Sequence, residues 1–244
     1  MNVALSLAAA AISLAFAFVV YRQYIDRRRP YQLIWSVALL IFMLGSFCQF
    51  IAERNGWSDL IYRAWYYSGA MLAAAFLGQG TVYLMAPRRI AHVSMGILGF
   101  VSGLGLGLAA AVPIDLTKAL DHGAVTGNGF PLFMLLLLIP LNTYGTIALV
   151  GGALWSVFRF WRKRTLGRRA IGTLLIAVGG LTVALGGTLN RFGIPGLLYA
   201  TELVGVAIIF IGYLQTVAQS GHPKPAPPAA ITSQPAVGTS RRAP

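Results

Sequence analysis

Six of the 244 residues carry a carboxylate, and five of those stand between long apolar runs. The sixth, Glu202, lies inside one, in the run GLLYATELVGVAIIFIGYL. An ionisable group within an apolar span is costly to place and is a functional candidate by default. If its span begins near Gly196, Glu202 sits about 9 Å inside the boundary at 1.5 Å per residue. Such a carboxylate can hold a ligand or a proton, or can tie down an arginine. Residues of matching depth are Gln49, Tyr66, Tyr67 and Tyr199, with Arg63 and Arg191 at the rim. A second polar group, Asn142-Thr143-Tyr144, follows Pro140, and Gln79 and Thr81 lie further along the third run. The expected ligand-binding set is Glu202, Gln49, Arg63, Tyr66, Tyr67, Tyr199, Arg191, Asn142 and Tyr144, lining a polar cavity.

Each of these residues also has a plainer reading. Glu202 pairs with Arg63 or Arg191 as a structural tie. Asn142 and Thr143 cap the carbonyl that Pro140 leaves without a donor. Tyr62, Trp65 and Trp57 form an aromatic belt at the membrane surface.

Other chemistries find no residues to carry them. The three lysines, Lys118, Lys163 and Lys224, all fall outside the apolar runs, so no lysine is placed to form a Schiff base with retinal. His92, His122 and His222 are too far apart in the chain for a haem-ligand pair or a His-Glu-x-x-His metal site. One cysteine, Cys48, excludes a disulfide framework and a Cys-x-x-Cys motif. The glycines of GLGLG follow no strand, which removes the dinucleotide-binding reading. No catalytic motif, cofactor or metal site is expected.

The elements that must position these residues follow from composition. Hydrophobic residues make up 57% of the chain and charged residues 10%, against about 25% in soluble domains. A soluble enzyme is excluded. About 20 apolar residues cross a bilayer core of about 30 Å as a helix. Seven segments qualify: 2–20, 31–52, 64–86, 90–113, 130–158, 170–189 and 195–218. The fold class is therefore all-α, a seven-transmembrane helical bundle spanning residues 1–218. Residues 219–244, rich in proline and without an aromatic residue, read as a disordered tail on the cytoplasmic side. The first span has no basic residue before it and Arg27-Arg28-Arg29 after it, so it is expected to be retained rather than cleaved.

Placing the N-terminus outside and the C-terminus inside puts fifteen of the nineteen basic residues on the cytoplasmic side. The net charge of +13 is then explained by topology and by anionic lipid headgroups at the basic loops, and nucleic acid is not an expected partner. Arginine greatly outnumbers lysine, and alanine and glycine are abundant, in keeping with a bacterial inner-membrane protein. Gly99, Gly103 and Gly107 in the fourth span, and Gly172, Gly179 and Gly186 in the sixth, mark two faces for close helix approach.

Sliding the chain by 137 residues lays ERNGWSDLIYRA over NRFGIPGLLYAT, matching Arg54 to Arg191, Gly56 to Gly193, Leu60 to Leu197 and Tyr62 to Tyr199. The same offset pairs spans 1, 2 and 3 with spans 5, 6 and 7. This implies a 3+1+3 parallel repeat, which resembles in topology the plan of the sugar-transporting SWEET and PQ-loop proteins. The stretch RAWYYSGAMLAAAFLGQGTVYLMAPRR (Arg63–Arg89) resembles a signature of uncharacterised seven-helix bacterial integral membrane proteins. It is also distantly similar to the seven-helix sensing regions of some histidine kinases. The resemblance implies a membrane-embedded sensory or scaffold module that works through a partner membrane protein. The residues themselves favour a non-enzymatic protein that binds or moves a small solute or lipid.

Overall fold

The computed structural model describes residues 2–121, 124–162, 167–191 and 197–218. The Pro-rich tail, Gly193, Lys163 and the side chain of Arg191 lie outside the described residues, so the readings that rest on them receive no structural account.

Seven helices are long and apolar enough to cross a membrane: α1 (Asn2–Arg27), α2 (Pro30–Asn55), α3 (Asp59–Met85), α4 (Arg88–Ala111), α5 (Leu132–Arg162), α6 (Arg168–Arg191) and α7 (Leu198–Ala218). Each overlaps one of the seven expected apolar segments, with ends displaced by up to seven residues: α1 runs on to Arg27, past residue 20, whereas α7 starts at Leu198, after residue 195. Short links enforce antiparallel neighbours. α1 turns into α2 at Arg28, whose φ of 50° breaks the helix, and Pro30 starts α2 at a position where no donor is needed. Ser58 caps α3 by accepting from the Ile61 amide. One end of the bundle thus carries Arg27, Arg28, Arg88, Arg89 and Arg162, and the other carries Glu53, Asp59 and Asp115; these are the basic and acidic ends below.

Large apolar side chains such as Phe18, Phe47, Phe100, Leu136 and Ile211 face outward, while Ser13, Gln32, Ser36, Gln49, Ser68 and Gln79 are buried. That inversion suits a hydrocarbon solvent, where burial of apolar surface gives helices no drive to associate and close backbone contact holds them instead.

Glycine provides that contact where the sequence marked it on α6. A Cβ at Gly172 would stand 2.5 Å from the Gly212 carbonyl oxygen of α7, and one at Gly179 would stand 2.6 Å from that of Gly205. Gly186 lies against Thr201. Seven residues are close to two turns, so all three glycines share one face. The matching expectation for α4 fails. Gly99, Gly103 and Gly107 meet nothing within 4 Å, and α4 touches the bundle through Gly105, Leu98 and Ser102 on the opposite side.

The spans α3 and α5 each contain a widened turn, a π segment at Tyr66–Leu72 and another at Ile147–Gly151. Between them Gly78 and Gly145 bring the two backbones together; a Cβ at Gly78 would be 2.7 Å from the Gly145 Cα. The α4–α5 connection folds back over the acidic end. It holds a one-turn helix at Leu116–Ala119 and a two-residue antiparallel ladder, β1 (Leu120–Asp121) with β2 (Ala124–Val125).

Candidate functional site

The connection is anchored by Tyr62, which is fully buried. Its hydroxyl donates to the Thr126 carbonyl at 2.7 Å and accepts from the Gly129 amide at 3.1 Å. Tyr62, Trp65, Tyr66 and Phe130 stack into one cluster with Trp57 at its edge. Tyr62 and Trp65 are therefore not a lipid-facing belt, because the folded connection covers them.

Beneath this cover lies a cavity of about 450 Å³, bounded by α2, α3, α5, α6 and α7 and by Gly127 of the connection. Both π segments open onto it, through Gly69 and Ala70 of α3 and Ile147 and Leu149 of α5. Such wide turns recur at functional sites because they displace backbone from regular packing. The wall is mostly apolar, with Leu39, Phe42, Trp65, Leu138 and Ile209 among its residues. Its polar side chains are Glu202, Asn142, Asn190, Thr143, Thr146 and Thr188, and among the described residues no lysine, arginine or histidine lines it.

Glu202 accepts at Oε1 from the Gln49 side-chain amide at 3.2 Å, while its Oε2 is buried without a hydrogen-bond partner. One turn away on each helix, the Tyr199 hydroxyl donates to Glu53 at 2.6 Å. Two polar rungs therefore join α2 to α7, with Gln49 and Glu53 spaced i, i+4 facing Glu202 and Tyr199 spaced i, i+3. No family model, curated protein or solved structure matches the chain.

The other expected site residues are distributed as follows. Asn142 lines the cavity, but its amide donates to the Ala70 carbonyl at 2.8 Å and the Leu138 carbonyl at 3.0 Å. The carbonyl freed by Pro140 is that of Leu136, one helical turn earlier, so Asn142 ties α5 to the π segment of α3 rather than repairing the proline break. Arg63 turns away from Glu202. Its guanidinium donates to the carbonyls of Ala109 at 2.5 Å and Val112 at 2.8 Å and pairs with Asp59 at 2.6 Å, closing the C-terminal end of α4. Tyr67 donates to the Ser102 carbonyl at 3.0 Å, fastening α3 to α4. Tyr66 is buried against Phe130. Tyr144 donates to Gln79 Oε1, away from the cavity. The side chain of Arg191 lies outside the described residues. Of the expected set, the structure brings Glu202, Gln49 and Tyr199 together beside Asn142.

Sequence reasoning missed Asn190 and Glu53. Asn190 is buried, lines the cavity and donates to the Val125 carbonyl at 2.9 Å, holding the connection in place. The 137-residue offset does carry a signal, since it lays Glu53 over Asn190, and each makes a polar contact at the acidic end.

Proposed function

We propose that this protein is a multi-pass inner-membrane protein that binds a small solute or lipid in the cavity beside Glu202. The carrying observation is the cavity itself: about 450 Å³, apolar in most of its wall, with one buried carboxylate oxygen left unpaired. Binding sites for small molecules have this make-up, a largely apolar enclosure with a few placed polar groups.

The charge distribution supports an orientation with the basic end in the cytoplasm, against anionic headgroups, and the acidic end outside. The cavity then lies in the outer half. Toward the basic end the interior is filled by Phe16, Trp35 and Tyr213, whose rings pack edge and face, and by the Gln79–Tyr144 pair. That filling favours reception of a ligand over passage through the membrane.

A 3+1+3 repeat is part of this reading. Its support is that α1 packs on α7 as α5 packs on α3, the exchange expected when the first helix of each unit meets the third helix of the other. Tyr62 and Tyr199, equivalent under the offset, are both fully buried with engaged hydroxyls. The alternative, a sensory or scaffold module acting through a partner membrane protein, draws on the open glycine face of α4.

The test is a thermal-stability screen of the purified protein against small solutes and lipids, repeated with Ala184→Trp, which fills the cavity. Stabilisation by a compound that the tryptophan variant no longer responds to supports the reading. Hits that ignore the substitution, or no hit at all, defeat it. A bound compound that also crosses proteoliposome membranes reassigns the protein to transport.

A further inference from the structure

Three polar atoms at or beside the cavity are buried without a partner: Glu202 Oε2, Gln49 Oε1 and Asn190 Oδ1. All three are acceptors. The Gln49 amide donates to the Glu202 carboxylate and the Asn190 amide donates to the Val125 carbonyl. Neither amide can be flipped to present its nitrogen instead, because each nitrogen faces an oxygen that only accepts. The Asn142 amide donates to two carbonyls. None of these bonds reaches the three free oxygens, and an unmet buried acceptor is costly.

Charge points the same way. Arg63, the described cation nearest in sequence to this end of α3, is engaged by Asp59 and by the α4 carbonyls. Glu202 has no cationic partner among the described residues. An inorganic cation would want about six or more oxygen ligands, whereas one carboxylate lines this cavity and no cluster of three metal-ligating side chains exists among the described residues. The wall is instead apolar and includes the rings of Trp65 and Phe42, which favour an organic cation.

Resting on the reading of this cavity as a ligand site, we propose that its ligand is an organic amine: a protonated ammonium group donating to Glu202, with an apolar body against the cavity wall. Gln49 orients the carboxylate from behind.

The experiment uses the full chain in phosphatidylcholine nanodiscs and calorimetric titration at pH 7 with three matched probes: 4-phenylbutylamine, 4-phenylbutan-1-ol and 4-phenylbutyrate. The amine is expected to bind at least about tenfold more tightly than the alcohol, as for a hydrogen bond to a charged group. The carboxylate should bind weakest. In Glu202→Gln the amine should fall to the affinity of the alcohol while the alcohol is unchanged. The wild-type probe series decides by itself if that variant does not fold. Equal binding of amine and alcohol overturns the amine assignment and leaves the ligand site standing. Tightest binding of the carboxylate also overturns it and assigns the anchor to a cation such as Arg191. Binding of none of the three overturns both the assignment and the ligand-site reading.

Discussion

Two buried polar nodes, one on each side of the Gly78–Gly145 contact, are built from the same kind of parts and finished differently. At the first, Gln79 is fully buried and saturated. Its amide donates to the Ala91 carbonyl at 2.9 Å and to Ser94 Oγ at 3.1 Å, and its oxygen accepts from Tyr144. It joins α3, α4 and α5 and leaves nothing over. At the second, Gln49 and Glu202 join α2 to α7 through one hydrogen bond and leave one acceptor each. Neither Gln79 nor Tyr144 lines the cavity that Glu202 lines. A polar group in an apolar interior that satisfies its whole valence is a fastener. One that stops short, beside empty space, is where the proposed ligand would bind.

The largest effect should come from the backbone contact beside the first node. A Cβ at Gly145 would overlap the Ala74 carbonyl, and backbone cannot step aside as a side chain can. Gly145→Val should therefore force α5 away from α3, pulling Tyr144 from Gln79 and Asn142 from Ala70 together. We expect a loss of about 3 kcal/mol or more, seen as a collapse of the monodisperse peak in size-exclusion chromatography. A variant that stays monodisperse with unchanged melting would mean the first node does not depend on this contact.

Next comes the fastener. Gln79→Leu leaves the Tyr144 hydroxyl without its acceptor and should cost about 1–3 kcal/mol, measured by denaturant titration in detergent. Affinity of the folded fraction for 4-phenylbutylamine should not change, since neither Gln79 nor Tyr144 lines the cavity. A change in affinity would merge the two nodes into one site.

Glu202→Gln is the counterpart, and the expected effect on stability is smaller, within about 1 kcal/mol of wild type and on the favourable side. The change removes a buried charge that lacks a cationic partner among the described residues. Were Glu202 a structural ion pair, the same change would leave an arginine uncompensated and cost about 3–5 kcal/mol. The melting temperature separates these outcomes without any ligand.

The contrast between the nodes also explains what the sequence could reveal. Span count was legible because hydrocarbon thickness imposes a length on apolar runs, and Glu202 stood out because a charge within such a run is expensive; the limits were less so, since α1 runs on to Arg27 through polar residues. The glycine period of α6 found its partner in α7. The same signal on α4 did not, because small residues permit close approach without supplying a second helix. Whether a polar side chain is saturated was not legible at all. Gln79 and Gln49 look alike in sequence, and their difference depends on Tyr144, Ser94 and Ala91 arriving at one and on empty space at the other. Arg63 misled for a related reason: it was read by depth, while its carbonyl partners are more than forty residues away in sequence. The burial of Tyr62 and Trp65 follows from the α4–α5 connection folding back, which no periodicity within α3 encodes.

That connection gives the smallest effect, and one that tests how firmly the unsaturated node is covered. Asp115 caps the turn at Leu116–Ala119. Its carboxylate accepts from the Thr117 hydroxyl at 2.5 Å, from the Thr117 amide at 3.1 Å and from the Lys118 amide at 3.3 Å, and it pairs with Lys118 at 3.2 Å. The Thr117 hydroxyl first, and then Lys118, hold its pKa down to about 2 from an ordinary 3.8. A depressed carboxylate contributes stability that is fully present above pH 3.8 and is lost as pH falls toward 2. The group is exposed, so solvent screening keeps the contribution small. Its reach is structural: the Asp115 amide donates to the Gly129 carbonyl at 2.9 Å, and Val125 of the same connection holds Asn190 at the cavity wall. Hydrogen exchange at the Thr117 and Lys118 amides should therefore be flat from pH 7 to about 5, after correction for intrinsic rates, and quicken between about 4 and 2. The reading is the difference from Asp115→Asn, which keeps an acceptor but has no proton to gain. Its corrected rates should exceed wild type at neutral pH and converge with it near pH 2. Parallel curves for the two proteins across the whole range would show that this carboxylate does not fasten the cover, and that Tyr62 and Asn190 hold it without it.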